Sequence, residues 1–306
     1  TSRHVPVAVQ GGLVFSWLTA GLYHTCGLTS EGAAYCWGWN GFGALGAGTT
    51  TLERLPPVAV EGGERFTAIS AGAWHTCGLT PAGAARCWGF NSFGTLGDGT
   101  TTDRPTPVVV QGGITFTSVS AGTAHTCGLT GTGASYCWGR NIVGELGDGT
   151  TTLRLTPVEV QGGLSFTALT AGWYHTCALT GTGAAYCWGY NSYGELGDGT
   201  TTDHLTPEVV GGGVVFAALT VPVWHACGLS NTGAAHCWGW NGYGALGDGT
   251  MTQRLTPEPV HGGIVFTRLT TGPSHSCGVT SEGAAYCWGN NHAGKLGDGT
   301  TTDRLS

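Results

Sequence analysis

Apolar residues in this 306-residue chain come in short alternating runs cut by glycine-rich punctuation. No stretch sustains the 3.6-residue period of an amphipathic helix. Residues 15–20 (FSWLTA), 24–29 (HTCGLT) and 33–38 (AAYCWG) are compact segments rich in β-branched and aromatic side chains, and the same three recur along the whole chain. Such runs, bounded by Gly, Asn, Asp and Pro, predict strands.

The sharpest prediction concerns residues 24–38. Pairing Thr29 with Ala33 across the loop Ser30-Glu31-Gly32 places Leu28 opposite Ala34, Gly27 opposite Tyr35 and Cys26 opposite Cys36. A three-residue hairpin loop needs positive φ at its last position, where glycine is tolerated without a steric penalty. Gly83, Gly133, Gly183, Gly233 and Gly283 hold that position in the other copies. Cysteines facing each other across a ladder are within disulfide reach. Six bonds are expected: Cys26–Cys36, Cys77–Cys87, Cys127–Cys137, Cys177–Cys187, Cys227–Cys237 and Cys277–Cys287. In the chain-entropy view each contributes roughly 2–3 kcal/mol before strain. The competing reading is a metal site at His24-Thr25-Cys26, but the Cys-x2–4-Cys pairs of zinc sites are missing.

The cysteines repeat at 51 residues once and at 50 thereafter, with the extra residue near Leu52-Glu53. After each hairpin comes a glycine-dense loop (residues 40–46), then Gly-Asp-Gly-Thr-Thr-Thr (as at 97–102), then a Thr-Pro strand. Four short strands per repeat, six times over, predict an all-β fold: a six-bladed β-propeller forming one domain over residues 1–306. Residues 1–12 read as half a motif whose full counterpart is residues 152–163. The strand at residues 5–9 is expected to complete the last blade, whose copy stops at residues 301–306. The same incompleteness would allow one chain to complete the next.

Charge alters the list of partners. Only 9% of residues are charged, and 11 basic against 18 acidic side chains give −7. No basic face exists to meet phosphates, so nucleic acid is not an expected partner. No apolar run reaches the length of a membrane-spanning helix. Twelve pairable cysteines point to an oxidising compartment, so a secreted or cell-surface location is expected. No signal peptide opens the chain at Thr1, which suits a mature secreted chain or a domain of one.

The repeat also carries residues 72–80 (GAWHTCGLT), then Gly83, residues 87–91 (CWGFN) and residues 94–97 (GTLG). This pattern resembles the regulator of chromosome condensation repeat over essentially the whole chain. The resemblance implies a β-propeller, commonly of seven blades where this chain has six repeats. The paired cysteines are similar to the secreted bacterial branch. Nuclear members of the family are exchange factors for a small GTPase, and bacterial members include β-lactamase inhibitor proteins that bind through one propeller face. A plant photoreceptor member uses Gly-Trp-Arg-His-Thr; residues 172–176 (GWYHT) come near it but lack the arginine.

Three features are candidates for function. His24, His75, His125, His175, His225 and His275 recur in every copy, as structural residues bonding backbone between blades would; no orienting acid or nucleophile accompanies them as catalysis requires. The Asp-Gly-Thr loops (98–103, 198–203, 298–303) offer oxygen atoms but not the dense carboxylates of a calcium loop, and Asp capping its own turn is the expected role. Exposed aromatics vary between copies: Trp39, Phe42, Phe90, Phe93, Tyr190, Tyr193, Trp240 and Tyr243 follow the hairpins, and Tyr23, Trp74, Tyr174 and Trp224 precede the histidines. The third and sixth copies have Arg140, Ile142, Val143 and Asn290, His292, Ala293 instead. The aromatics serve either inter-blade packing or a contact face. The expectation is a non-enzymatic subunit without cofactor or metal that binds a protein, a glycan or copies of itself.

Overall fold

In the computed structural model, which describes residues 7–306, the first repeat forms four antiparallel strands. They are β1 (Trp17–Ala20), β2 (His24–Leu28), β3 (Ala34–Trp39) and β4 (Glu53–Ala59), hydrogen-bonded in chain order. The expected register is observed: Leu28 pairs with Ala34, Gly27 with Tyr35 and Cys26 with Cys36. Gly32 closes the loop at φ 81°. All six disulfides form, each across a Cα–Cα distance of 4.1 Å. Each hairpin also ends in a second constrained glycine. At Gly38 (φ 111°) the β3–β4 register shifts, and a Cβ would lie 2.7 Å from the Tyr23 carbonyl oxygen.

Five sheets have four strands and the sixth has three (Arg268–Thr271, His275–Val279 and Ala285–Gly289). The innermost strands of all six, with Thr19, Ala71, Ala121, Ala171, Val221 and Thr271, line a central channel of about 930 Å³. The fold is a six-bladed, all-β propeller, with no helix among the described residues.

No blade has a core of its own. Each core lies between consecutive blades. The first joins Cys26, Leu28, Ala34, Cys36, Leu45 and Val60 of one blade to Phe66, Ile69 and Trp88 of the next. The other four repeat that composition, with Phe116 and Trp138, Phe166 and Trp188, Phe216 and Trp238, and Phe266 and Trp288 as the incoming side chains. The disulfides therefore stiffen the surface that each blade offers to its successor.

Polar groups cross the same interfaces. Trp88 Nε1 donates to the Ala44 carbonyl at 2.9 Å, and Thr76 Oγ1 donates to the same oxygen at 2.9 Å. With its proton committed there, the Thr76 hydroxyl accepts from His24 Nε2 at 2.7 Å. The histidine is thus the Nε2–H tautomer, bonded to a hydroxyl of the next blade rather than directly to backbone as the sequence had suggested. His75–Thr126, His125–Thr176 and His225–Ser276 repeat the pair. His175 does not, because Ala226 occupies the hydroxyl position, and its buried Nε2 has no partner.

The expected closing strand begins at residues 5 and 6, which lie outside the described residues. Its remainder, Val7 to Val9, is exposed and forms no strand. The ladder position opposite Gly289 is taken by Arg304, and Leu305 accepts a hydrogen bond from Gly249 of the fifth blade.

Ala226→Thr should give His175 its missing hydroxyl and raise stability by about 1–3 kcal/mol in denaturant unfolding; no change would mean that His175 is already satisfied. Titration should also be legible in thermal melts. Burial holds His75, His125, His175 and His225 down at about 3 and His24 at about 4. Unfolded imidazoles bind protons near 6.5, so stability should be full above that pH and fall steeply as pH drops below it. Glu195 acts in the opposite direction. Burial pushes its carboxyl up from 4.5 to about 7, so it costs stability as pH rises through that range. Glu195→Gln should remove on the order of 3 kcal/mol of that cost above neutrality, visible as a Tm difference from wild type that grows between pH 5 and pH 8.

Candidate binding surface

One hydrogen bond per blade brings the two aromatic positions together. Trp39 N donates to the Tyr23 carbonyl at 2.9 Å, Phe90 N to Trp74 at 3.0 Å, Tyr190 N to Tyr174 at 3.0 Å and Trp240 N to Trp224 at 2.8 Å. The residue after Trp-Gly therefore lies beside the residue before His. The loop that follows is held by its asparagine: Asn40 Oδ1 accepts from Leu45 N at 3.0 Å, and its Nδ2 donates to the Thr49 carbonyl at 2.9 Å. Gly43 lets this loop abut the next blade, where a Cβ would meet Pro105 Cα at 2.5 Å.

The outcome is a continuous aromatic surface across the first two blades. Tyr23 stacks on Trp74 with centroids 4.3 Å apart, Trp39 meets Trp74 and Phe42 at 5.1 Å each, and Phe42 meets Phe90 at 4.9 Å. Phe93 extends the row and is exposed. These side chains line a cavity of about 590 Å³, together with Arg140, Trp173 and Tyr174. Offset and edge-on rings at these separations pack favourably and hold one another in place.

Four of the eight aromatics anticipated after the hairpins, Trp39, Phe42, Phe90 and Phe93, thus converge on one cavity with three of the pre-histidine set, Tyr23, Trp74 and Tyr174. Tyr190 and Tyr193 belong to a second cluster, around Trp173, Tyr174 and Trp224. Trp240 and Tyr243 pair with each other, 5.4 Å apart. The lining residues outside the anticipated aromatics are Leu22, Thr123, Ala124, Arg140 and Trp173. Arg140 had looked like a gap in the aromatic pattern. Its guanidinium lies 4.1 Å over the Tyr174 ring centroid and 3.3 Å from Glu145 Oε1. Burial raises the Glu145 carboxyl above its ordinary value even though Val143 N–H and Arg140 favour the charged form.

The other candidates are held by internal bonds. The repeated histidines of the first five blades are buried in the inter-blade interfaces. Asp98 Oδ1 accepts from Thr100 N at 3.0 Å and Thr100 Oγ1 at 2.7 Å, while Oδ2 accepts from Arg104 Nε at 3.0 Å. Burial alone would raise its pKa, but these bonds outweigh it and hold the carboxylate below its usual range. This is the turn cap expected for Asp-Gly-Thr, repeated at Asp198 with His204 as the partner.

Comparison with known proteins fits this architecture. The Arabidopsis thaliana ultraviolet-B receptor UVR8 is 36% identical over 99 residues, which is 31% of this chain and 22% of the receptor. The chain therefore matches less than a quarter of that relative's length. Among solved structures, human WBSCR16 superposes with a TM-score of 0.90 at 22% identity, over 99% of this chain and 84% of that one. Yeast RCC1 (Prp20), solved with Kap60 bound, gives 0.82 at 21% identity, over 94% of this chain and 73% of that one. These two likenesses show a shared fold. A family model for the RCC1-like domain matches residues 2–306, and the chain belongs to that family.

Proposed function

We propose that this chain is a non-enzymatic, protein-binding propeller that works outside the reducing cytosol, with the aromatic face of its first two blades as the contact surface. One observation carries the reading: the cavity bounded by Trp39, Phe42, Trp74 and Phe90 opens to solvent, and rings rather than hydrogen-bonding groups form most of its wall. Aromatic side chains in a pre-formed pocket bury large area at little entropic cost and recur as binding hot spots. Arg140 at the margin adds a single cationic group for orientation. Glycan recognition would call for polar side chains around the rings, and here Thr123 and Arg140 are the main ones. The family supports a protein partner: Prp20 binds Gsp1p and histones. The six disulfides support an oxidising location.

A peptide-display selection and a glycan array, run in parallel on wild type and on a Trp74→Ala, Phe42→Ser double variant, test the proposal. Apolar or aromatic peptides should be selected on wild type. The double variant should bind them at least about 30-fold more weakly, the loss of a hot-spot pair. Selection of glycans alone, or peptide binding that survives the double substitution, would overturn the assignment.

A further inference from the structure

Between the fifth and sixth blades, the loops beyond the hairpins leave a cavity of about 560 Å³. Its origin is a missing ring. Phe42 and Tyr193 each lie 6.0 Å, between ring centroids, from the tryptophan that precedes the next blade's histidine, Trp74 and Trp224. Tyr243 holds the same position in the fifth blade, but the sixth blade offers it Ser274 instead. The residue after Trp-Gly is polar there as well: Asn290, where four other copies have Trp39, Phe90, Tyr190 and Trp240. Tyr243 keeps Trp240 of its own blade beside it at 5.4 Å and is 42% exposed.

Polar groups line the vacated space. Asn290 Oδ1 accepts from Lys295 Nζ at 3.0 Å and from His292 N at 3.3 Å. Asp303 Oδ1 accepts from Asn291 N at 2.6 Å. Among the described residues, the Asn290 amide protons, the other protons of Lys295 and the second oxygen of Asp303 have no partner. Lys295 and Asp303 both line the cavity, yet no ion pair joins them among the described residues. The backbone is strained at the same place. Among the described residues, Ala293 is the one non-glycine with positive φ, at 65°. Side chains rarely adopt that conformation, and it persists where the surroundings impose it, as at ligand sites. The turn it makes brings His292 to the cavity wall, where the other copies have glycine, serine or isoleucine.

We propose that this cavity binds a saccharide, with the Tyr243 ring against the C–H face of a pyranose and Asn290, Lys295 and Asp303 bonded to its hydroxyls. The chemistry of the wall selects this class. An anion would meet Asp303, a cation would meet Lys295, and an apolar side chain would desolvate both. Sugar hydroxyls both donate and accept. They match a wall that mixes an amide, an ammonium, a carboxylate and the hydroxyls of Ser274 and Thr301. A ring with a few convergent polar groups fixes the orientation of such a ligand. This cavity shares no lining residue with the aromatic cavity of the first two blades, so saccharide binding here is independent of partner binding there.

An array of immobilised oligosaccharides, followed by titration with the free form of the tightest binder, tests the site. Wild type should retain a defined set. Ser274→Trp restores the ring found at Trp74 and Trp224 and fills the cavity, and Asn290→Leu removes the amide. Each should weaken binding at least about 10-fold while melting as wild type does. The Trp74→Ala, Phe42→Ser protein should bind the same saccharides as wild type, which separates this result from the fate of the aromatic face. A wild type that retains no saccharide, binding that survives either single substitution, or loss confined to the Trp74→Ala, Phe42→Ser protein would each overturn the proposal.

Discussion

A single carbonyl oxygen per interface organises this propeller. In the first interface it belongs to Ala44 and accepts from both Trp88 Nε1 and Thr76 Oγ1. The indole places the largest core side chain, and the hydroxyl, by donating, turns its own oxygen toward His24. A dry interface needs every polar group satisfied, and this arrangement satisfies most of them while packing Trp88 at full burial. The same oxygen position is provided by Thr95, Glu145, Glu195 and Ala245. Since only the backbone takes part, the side chain there is free to vary, which is how two glutamates come to be buried at equivalent places.

This constraint explains why the repeat spends its fixed residues where it does. Cysteines and glycines shape the hairpin, and the hairpin sets the depth at which Trp and His meet the neighbour. Buried disulfides replace the larger aliphatic pairs a sheet face would otherwise need, in a chain with only 9% charged residues. The loops that emerge beyond the Trp-Gly step carry their share of this burden in the backbone and in one core leucine, through the Ala44 carbonyl and Leu45 in the first blade. Their asparagine and aspartate caps fix the backbone, so their outward side chains vary from blade to blade and build a surface that is asymmetric on a nearly symmetric frame. Function in such a fold resides in that asymmetry.

The register, the disulfides, the four-strand blade and the turn caps were all legible in residues such as Cys26, Cys36, Gly32 and Asp98, because each depends on neighbours within a dozen or so positions. The blade count followed from the period. Which aromatics act together was not legible. Trp39 and Phe42 meet Trp74 and Phe90 across a blade boundary, and Arg140 joins them from the third blade, because curvature around the axis decides what faces the cavity. The partner of each histidine was also hidden, since Thr76 lies 52 residues from His24 and is reached only when blades stack.

The sequence by itself determined the unit: local hydrogen-bond and steric rules act over short separations, and six near-copies make them unambiguous. Tertiary structure alone decided how the ends stand. A repeat encodes a front and a back but not whether the last front meets the first back, because that depends on small per-blade rotations summed around the ring. Among the described residues Leu18 is exposed and Trp37 half-buried, where their counterparts Ile69 and Trp88 in the second blade are buried.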